Sequence, residues 1–199
     1  MITYDGVIRW SWAAFLLVWV ASAFGVKRDI RGAGFSSVWS RFWAMRLAVT
    51  VLVAFFAMRL VRRAGSAAGS FSNRASIFAP PPAVGWTAAV MTAIGIGLAI
   101  WARAFLGRNW SPRPAVKEHH ELVTAGPYAY VRHPIYTGIL LAALGTALTG
   151  TVFGIGVFAF TSIVFLSRIR TEEKIMLELF PNEYPAYQAR TTRLVPFVW

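Results

Sequence analysis

Apolar positions in this chain come in long unbroken blocks, separated by short stretches where arginine, glycine, serine and proline gather. Residues 10–26 carry no charge, and the connector that follows holds Lys27, Arg28, Arg31 and Arg41 among glycines and serines, which argues against a continuing helix. A second block covers residues 42–61. Its Arg46 and Arg59 lie near the ends, where a long side chain can snorkel to a membrane interface. Residues 62–82, rich in Gly, Ser and Ala and ending in Pro80-Pro81-Pro82, predict a loop outside the hydrocarbon. Residues 84–102 are again uncharged and, at about 1.5 Å each, suffice to cross a core of roughly 30 Å.

The longest block, residues 134–167, has no charge at all. As one helix it would measure about 51 Å and overshoot the bilayer, so it must fold back. Thr149-Gly150-Thr151 is the expected turn, giving two short spans of about 16 residues each. Gly138, Ala142 and Gly145 then share one helical face, which lets a neighbouring backbone approach closely. After Ser167 the pattern changes to Arg168, Arg170, Glu172, Glu173 and Lys174, then Leu177, Phe180, Tyr184 and Tyr187 at helix-like intervals. This predicts an amphipathic helix leaving the membrane. The expected fold is an all-α polytopic membrane protein in a single integral domain. Residues 1–102 would supply three of its five spans and residues 103–199 a functional core, with the last two spans a short helical hairpin followed by the amphipathic helix.

Composition supports this picture and narrows the partners. The 199 residues are 57% hydrophobic and only 14% charged, far from an ordinary soluble domain. The net charge of +12 could suggest nucleic acid, but the basic residues are scattered between apolar blocks and form no sustained stripe. Arginines facing anionic headgroups explain it better. The basic first connector, the loop after residue 102 and the segment after Ser167 share one side, expected to be cytoplasmic, although Arg62, Arg63 and Arg74 dissent. A prokaryotic cytoplasmic membrane is the expected location. With no cysteine and three histidines, thiolate chemistry is excluded and little remains for a metal centre, so no metal is expected.

The polar residues concentrate at the start of the longest apolar block. Gly126-Pro127-Tyr128-Ala129-Tyr130-Val131-Arg132-His133-Pro134-Ile135-Tyr136-Thr137-Gly138 sets cationic and hydrogen-bonding groups against a membrane helix. Pro134 suits a first helical turn, where a missing N–H costs nothing, leaving Arg132 or His133 at the cap beside backbone donors that attract anions.

That block, preceded by His120, Leu122, Val123 and Thr124 and joined to Glu172-Glu173-x-x-x-Leu177-x-x-Phe180-x-x-x-Tyr184-x-x-Tyr187, resembles the isoprenylcysteine carboxyl methyltransferase family and its phospholipid methyltransferase relatives. The resemblance covers residues 106–197. It implies a polytopic enzyme using S-adenosyl-L-methionine. His120, Leu122, Val123 and Gly126 would border the adenosine, while Tyr128, His133 and Tyr136 would address the methionine portion with Arg132 beside them. Glu172 and Glu173 would hold hydroxyl or ammonium groups. Such a cofactor needs donors, acceptors and aromatic faces together. For a carboxylate acceptor, Arg168 or Arg170 would supply the orienting cation; for an amine, Glu172, Glu173 or a tyrosine would be the base. Two departures stand out: Pro181 occupies a position where glycine is common, and the amino-terminal spans are fewer than in the eukaryotic carboxyl methyltransferases.

Plainer readings compete with each of these. Arg132-His133-Pro134 suits an interface anchor and helix start, and Arg168 to Glu172 suits an i,i+4 pair on a solvated face. His119 reads as exposed, Gly95-Ile-Gly97 as helix packing, and Trp110 as an interface anchor. The leading expectation is methyl transfer to a lipophilic or lipidated acceptor arriving from the bilayer, foremost an isoprenylcysteine-like carboxylate. N-methylation of a phospholipid amine, S-methylation of a small thiol, an NADPH-dependent sterol or steroid reductase, and a non-enzymatic membrane subunit stay open. Membrane lipids are expected partners and nucleic acid is not.

Overall fold

The computed structural model describes residues 2–23, 29–31, 76–107, 116–117 and 122–199. In chain order these form helix α1 (Tyr4–Ala23), strand β1 (Asp29–Arg31), helix α2 (Pro82–Leu106), strand β2 (Val116–Lys117), a 3-10 turn (Gly126–Ala129), and helices α3 (Pro134–Ala147), α4 (Val152–Leu179) and α5 (Tyr184–Arg190). Helices dominate, as expected; the small antiparallel β1–β2 ladder, with Asp29 opposite Lys117, was not. The expected span over residues 42–61 lies outside the described residues.

Two described helices, α2 and α4, are long and apolar enough to cross a membrane. Large apolar side chains point outward from the helices, among them Leu17, Val90, Ile94, Phe160 and Ile163. In water such faces would demand a partner, whereas lipid solvates them directly. α2 starts with Pro82 in its first turn, where proline is preorganised for a helix.

The core is built where α2 packs antiparallel against α3. A Cβ added to Gly95 would lie 2.5 Å from Gly138 O and Ala142 N; one added to Gly138 would lie 2.5 Å from Gly95 O. Gly145 repeats the contact further along, 2.7 Å from Ala88 O. No larger residue fits there, and the two backbones touch with only small residues between them. Gly95 is therefore a packing glycine, while a Cβ on Gly97 would meet nothing. The fully buried Thr92 hydroxyl donates to Ala88 O within its own helix and lies 3.3 Å from Ala142 O across the seam. α1 lies alongside, its Trp12 indole donating to Thr146 Oγ1 at 3.0 Å.

α3 ends at Ala147 and α4 begins at Val152, so the chain reverses over residues 148–151. Gly150 takes φ +73°, a conformation in which a side chain would be strained, and Thr151 caps α4 by accepting from the Gly154 N–H. The two helices differ greatly in length: α3 has 14 residues and α4 has 28. The expectation of two equally short spans followed by a separate amphipathic helix is corrected here, because Arg168 to Leu179 continue α4 without a break. Sixteen apolar residues and a charged extension make one rod of about 42 Å, whose charged end outruns the hydrocarbon. The helix stops at Phe180, which precedes Pro181 and sits at φ −125°, ψ 62°. Proline disfavours helical geometry in the residue before it, and this also separates Tyr184 and Tyr187 onto α5.

Candidate active site

Three pieces of chain converge where α3 begins and α4 ends. The first is the approach to α3. Gly126 has φ +60°, and an added Cβ would lie 2.5 Å from the Phe105 ring, so glycine is required for the chain to turn this tightly against α2. The 3-10 turn that follows drops the Tyr128 ring into the core, its hydroxyl donating to Ala102 O at 3.4 Å. His133 is the N-cap residue of α3 with Pro134 in the first turn, and its side chain makes no capping bond. The imidazole is thus directed away from its own helix end.

The second piece is the charged extension of α4. Glu173 is 5% exposed. Its Oε1 accepts from Arg132 Nε at 2.7 Å and its Oε2 from Arg193 Nε at 3.1 Å. Glu172 accepts from the Tyr136 hydroxyl at 2.6 Å and from Arg168 Nε and Nη2 at 3.2 and 3.0 Å. Between the two carboxylates lies His133, with Nδ1 3.7 Å from Glu172 and Nε2 3.7 Å from Glu173. Its ring is parallel to Tyr136, centroids 5.5 Å apart at 5°, and Tyr136 stacks in turn on Phe165 at 4.3 Å and 11°. Two acidic neighbours on α4 thereby bracket an aromatic column contributed by α3 and α4.

The third piece is the segment after α5. The Arg132 and His133 N–H groups donate to Thr192 O at 2.8 Å and Arg193 O at 3.1 Å. Arg132 Nη1 reaches Gln188 O at 3.2 Å and Thr191 O, and the Tyr187 hydroxyl donates to Tyr128 O at 2.7 Å. Such charge-assisted bonds to a buried guanidinium fix its plane and hence the Glu173 carboxylate it faces.

Electrostatics follow from this wiring. Burial pushes the Glu173 carboxyl up, but the His133 ring 3.7 Å away and the hydrogen bond from Arg132, with the charges of Arg132 and Arg193, override it and hold the group down at about 2. Beyond the charged end of α4, burial pushes the Tyr187 phenol up to about 12, against the pull of Arg132 and Arg190. The His133 Nε2 atom is buried without a hydrogen-bond partner. Such an atom carries a desolvation cost that a ligand acceptor or donor would offset.

Of the residues expected from sequence, Arg132, His133, Tyr136, Arg168, Glu172 and Glu173 come together. Gly126 and Tyr128 support them from the turn, and Val123 packs against the core cluster beside Tyr128, with Leu122 half-buried before it. Arg170 is exposed, two residues and so about 200° around α4 from both Arg168 and Glu172. His120, His119 and Trp110 lie outside the described residues. Sequence reasoning missed Arg193, Thr191 and Phe165. Phe165 lies seven residues before Glu172, about two helical turns, and that interval was a usable signal. For Arg193 and Thr191 no local pattern existed, because their role arises from a long-range return of the chain.

Fold and site together define a helical membrane protein with an ionic, aromatic-lined cluster at one end of its apolar helices. Residues 88–178 match the isoprenylcysteine carboxyl methyltransferase (ICMT) family. The chain is 36% identical over 88 residues to protein-S-isoprenylcysteine O-methyltransferase B of Arabidopsis thaliana, covering 41% of this chain and 43% of that protein. It is 31% identical over 115 residues to the cobalt-zinc-cadmium resistance protein CzcN of Cupriavidus metallidurans, covering 56% of this chain and 51% of that one. Among solved structures, the eukaryotic intramembrane Ras methyltransferase ICMT superposes with a TM-score of 0.51 at 27% identity, over 59% of this chain and 46% of that chain. The chain thus spans about half or less of the length of these relatives.

Proposed function

We propose that this protein is an integral membrane methyltransferase that uses S-adenosyl-L-methionine to O-methylate a lipophilic carboxylate of the isoprenylcysteine type. The observation that carries the reading is the bracketing of His133 by Glu172 and Glu173 beside a Tyr136–Phe165 stack, at the point where apolar helices meet charge. The relatives named as protein-S-isoprenylcysteine O-methyltransferases support the acceptor class.

The residues present fit the cofactor. A sulfonium is attracted by aromatic faces and carboxylates, an ammonium by carboxylates, and a carboxylate by arginine and imidazole. All of these line this cluster, and the buried His133 Nε2 without a partner is a group for which a ligand atom would compensate. When bound, S-adenosyl-L-methionine supplies a methyl group activated by its cationic sulfur. The chain's own work is alignment and exclusion of water. Glu173, held by Arg132 and Arg193, fixes the α4 end against α3; Glu172 and Tyr136 line the cofactor side, with Leu122, Val123, Gly126 and Tyr128 toward the adenosine. Arg168, whose side chain is 38% exposed, presents its cation at the edge of the apolar stretch. There it orients the acceptor carboxylate, which is already ionised and needs no base. A water-soluble cofactor would enter from the cytoplasmic side and the lipophilic acceptor laterally from the bilayer.

Incubating the detergent-purified protein with labelled S-adenosyl-L-methionine and an S-prenylated cysteine tests the proposal. Label transfer that disappears when the carboxylate is converted to an amide supports it. Transfer only to lipid amines or small thiols would overturn the acceptor assignment.

A further inference from the structure

After α5 the chain returns to α3 and then closes a small turn over residues 194–199. The Leu194 and Val195 N–H groups both donate to Trp199 O at 2.8 Å, and the Trp199 N–H returns to Val195 O at 3.1 Å. The turn is anchored inward: Leu194 is buried, and Leu194 O accepts from Thr137 Oγ1 at 2.7 Å. It presents its other apolar side chains outward. Phe197 is 91% exposed, Val198 77%, and Val195 and Trp199 about half.

Two features set this patch apart from incidental apolar exposure. Phe197 is the one non-glycine residue with positive φ among those described, at +63°. The left-handed conformation is disfavoured for a residue with a Cβ, and such strain persists only where surrounding structure enforces it. Here it directs a large ring away from the protein. The second feature is height along the bundle. Thr137 lies in the first turn of α3, and the neighbouring Tyr136 bonds Glu172, just beyond the point where the apolar part of α4 gives way to charge. The turn is therefore level with the edge of the hydrocarbon. Arg193 flanks it with its guanidinium 5.5 Å over the Trp199 ring, and Arg190 lies three residues earlier at the end of α5. Aromatic and aliphatic side chains bordered by arginines at this level match an anionic lipid–water interface.

We infer that the turn formed by residues 194–199 is a lipid-surface anchor, with Phe197 and Val198 inserted into the membrane interface. Arg193 ties the anchor to Glu173, so its seat on the bilayer bears on the ionic cluster. The anchor does not depend on which reaction the cluster serves.

The chain has no cysteine, so single labels are clean. Phe197→Cys, Val198→Cys and, as a control in the exposed turn after α4, Glu183→Cys would each carry an environment-sensitive fluorophore in full-length protein reconstituted into phosphatidylcholine–phosphatidylglycerol vesicles. Lipids bearing a nitroxide near the headgroup should quench the labels at 197 and 198 at least about twofold more than the label at 183, with blue-shifted emission. The two tip labels guard against loss of fold in either variant. Quenching and emission equal to the control at both sites would overturn the anchor. A blue shift without lipid quenching that fades as protein is diluted in lipid would also overturn it and assign the patch to a second copy of the chain.

Discussion

The α2–α3 seam and the α3–α4 end are both buried contacts of α3, yet they are held in opposite ways. Along the seam, Gly95, Gly138, Ala142 and Gly145 remove side chains so that backbone meets backbone. At the end, Arg132, Glu173 and Arg193 fill the space with charge, each bonded to another. The first contact has little freedom and is set by shape. The second is set by electrostatics and depends on three distant pieces of chain arriving together. A rigid seam that positions an ionic cluster suits a site that must stay aligned beside lipid.

This comparison can be broken first at the seam. Gly138→Leu forces a side chain into backbone atoms 2.5 to 2.7 Å from where its Cβ would lie, and the expected result is loss of folded protein, read as aggregation on size-exclusion chromatography in mild detergent. Monodisperse, thermally normal Gly138→Leu would show that the seam is not shape-limited. At the ionic end, Arg132→Ala leaves Glu173 buried with part of its compensation gone, which costs about 3–5 kcal/mol and should lower the thermal midpoint clearly. Arg132→Lys should recover only part, since it loses the planar fork that reaches Glu173, Gln188 and Thr191 together.

Acid offers a reversible version of the same test. The Glu173 carboxyl lies at about 2 in the folded protein against 4.5 ordinarily. A depressed value contributes stability that is present above the ordinary pKa and is lost as pH falls through the folded one. The wild-type thermal midpoint should therefore carry a Glu173-dependent decline between pH 4.5 and about 2, and Glu173→Gln should flatten that part. An identical pH profile in the variant would remove Glu173 from the account. Arg193→Ala should have the smallest effect on stability, below about 1 kcal/mol, because its side chain is 38% exposed and solvent screens the pair.

The same contrast explains what could be read from sequence. The seam was legible because Gly138, Ala142 and Gly145 fall at helical spacing and small residues on one face have a single common use. Tyr136, Glu172 and Arg168 were legible as chemistry, since charge beside an uncharged stretch of 34 residues is conspicuous. The unbroken α4 was not, because a change in polarity at Ser167 looks like the end of a helix although the backbone has no reason to stop before Pro181. Arg193 was invisible for a different reason. Its partner Glu173 is 20 residues away across a helix break, and no periodicity links them.

The central claim is that the cluster around His133, Glu172 and Glu173 holds S-adenosyl-L-methionine. Isothermal titration of the detergent-solubilised protein with S-adenosylhomocysteine, and separately with NADPH, tests it most directly. Saturable binding of S-adenosylhomocysteine alone, abolished in a folded Glu173→Ala variant, is the predicted result. Binding of NADPH instead, of neither ligand by well-folded protein, or of S-adenosylhomocysteine unchanged in Glu173→Ala would contradict it.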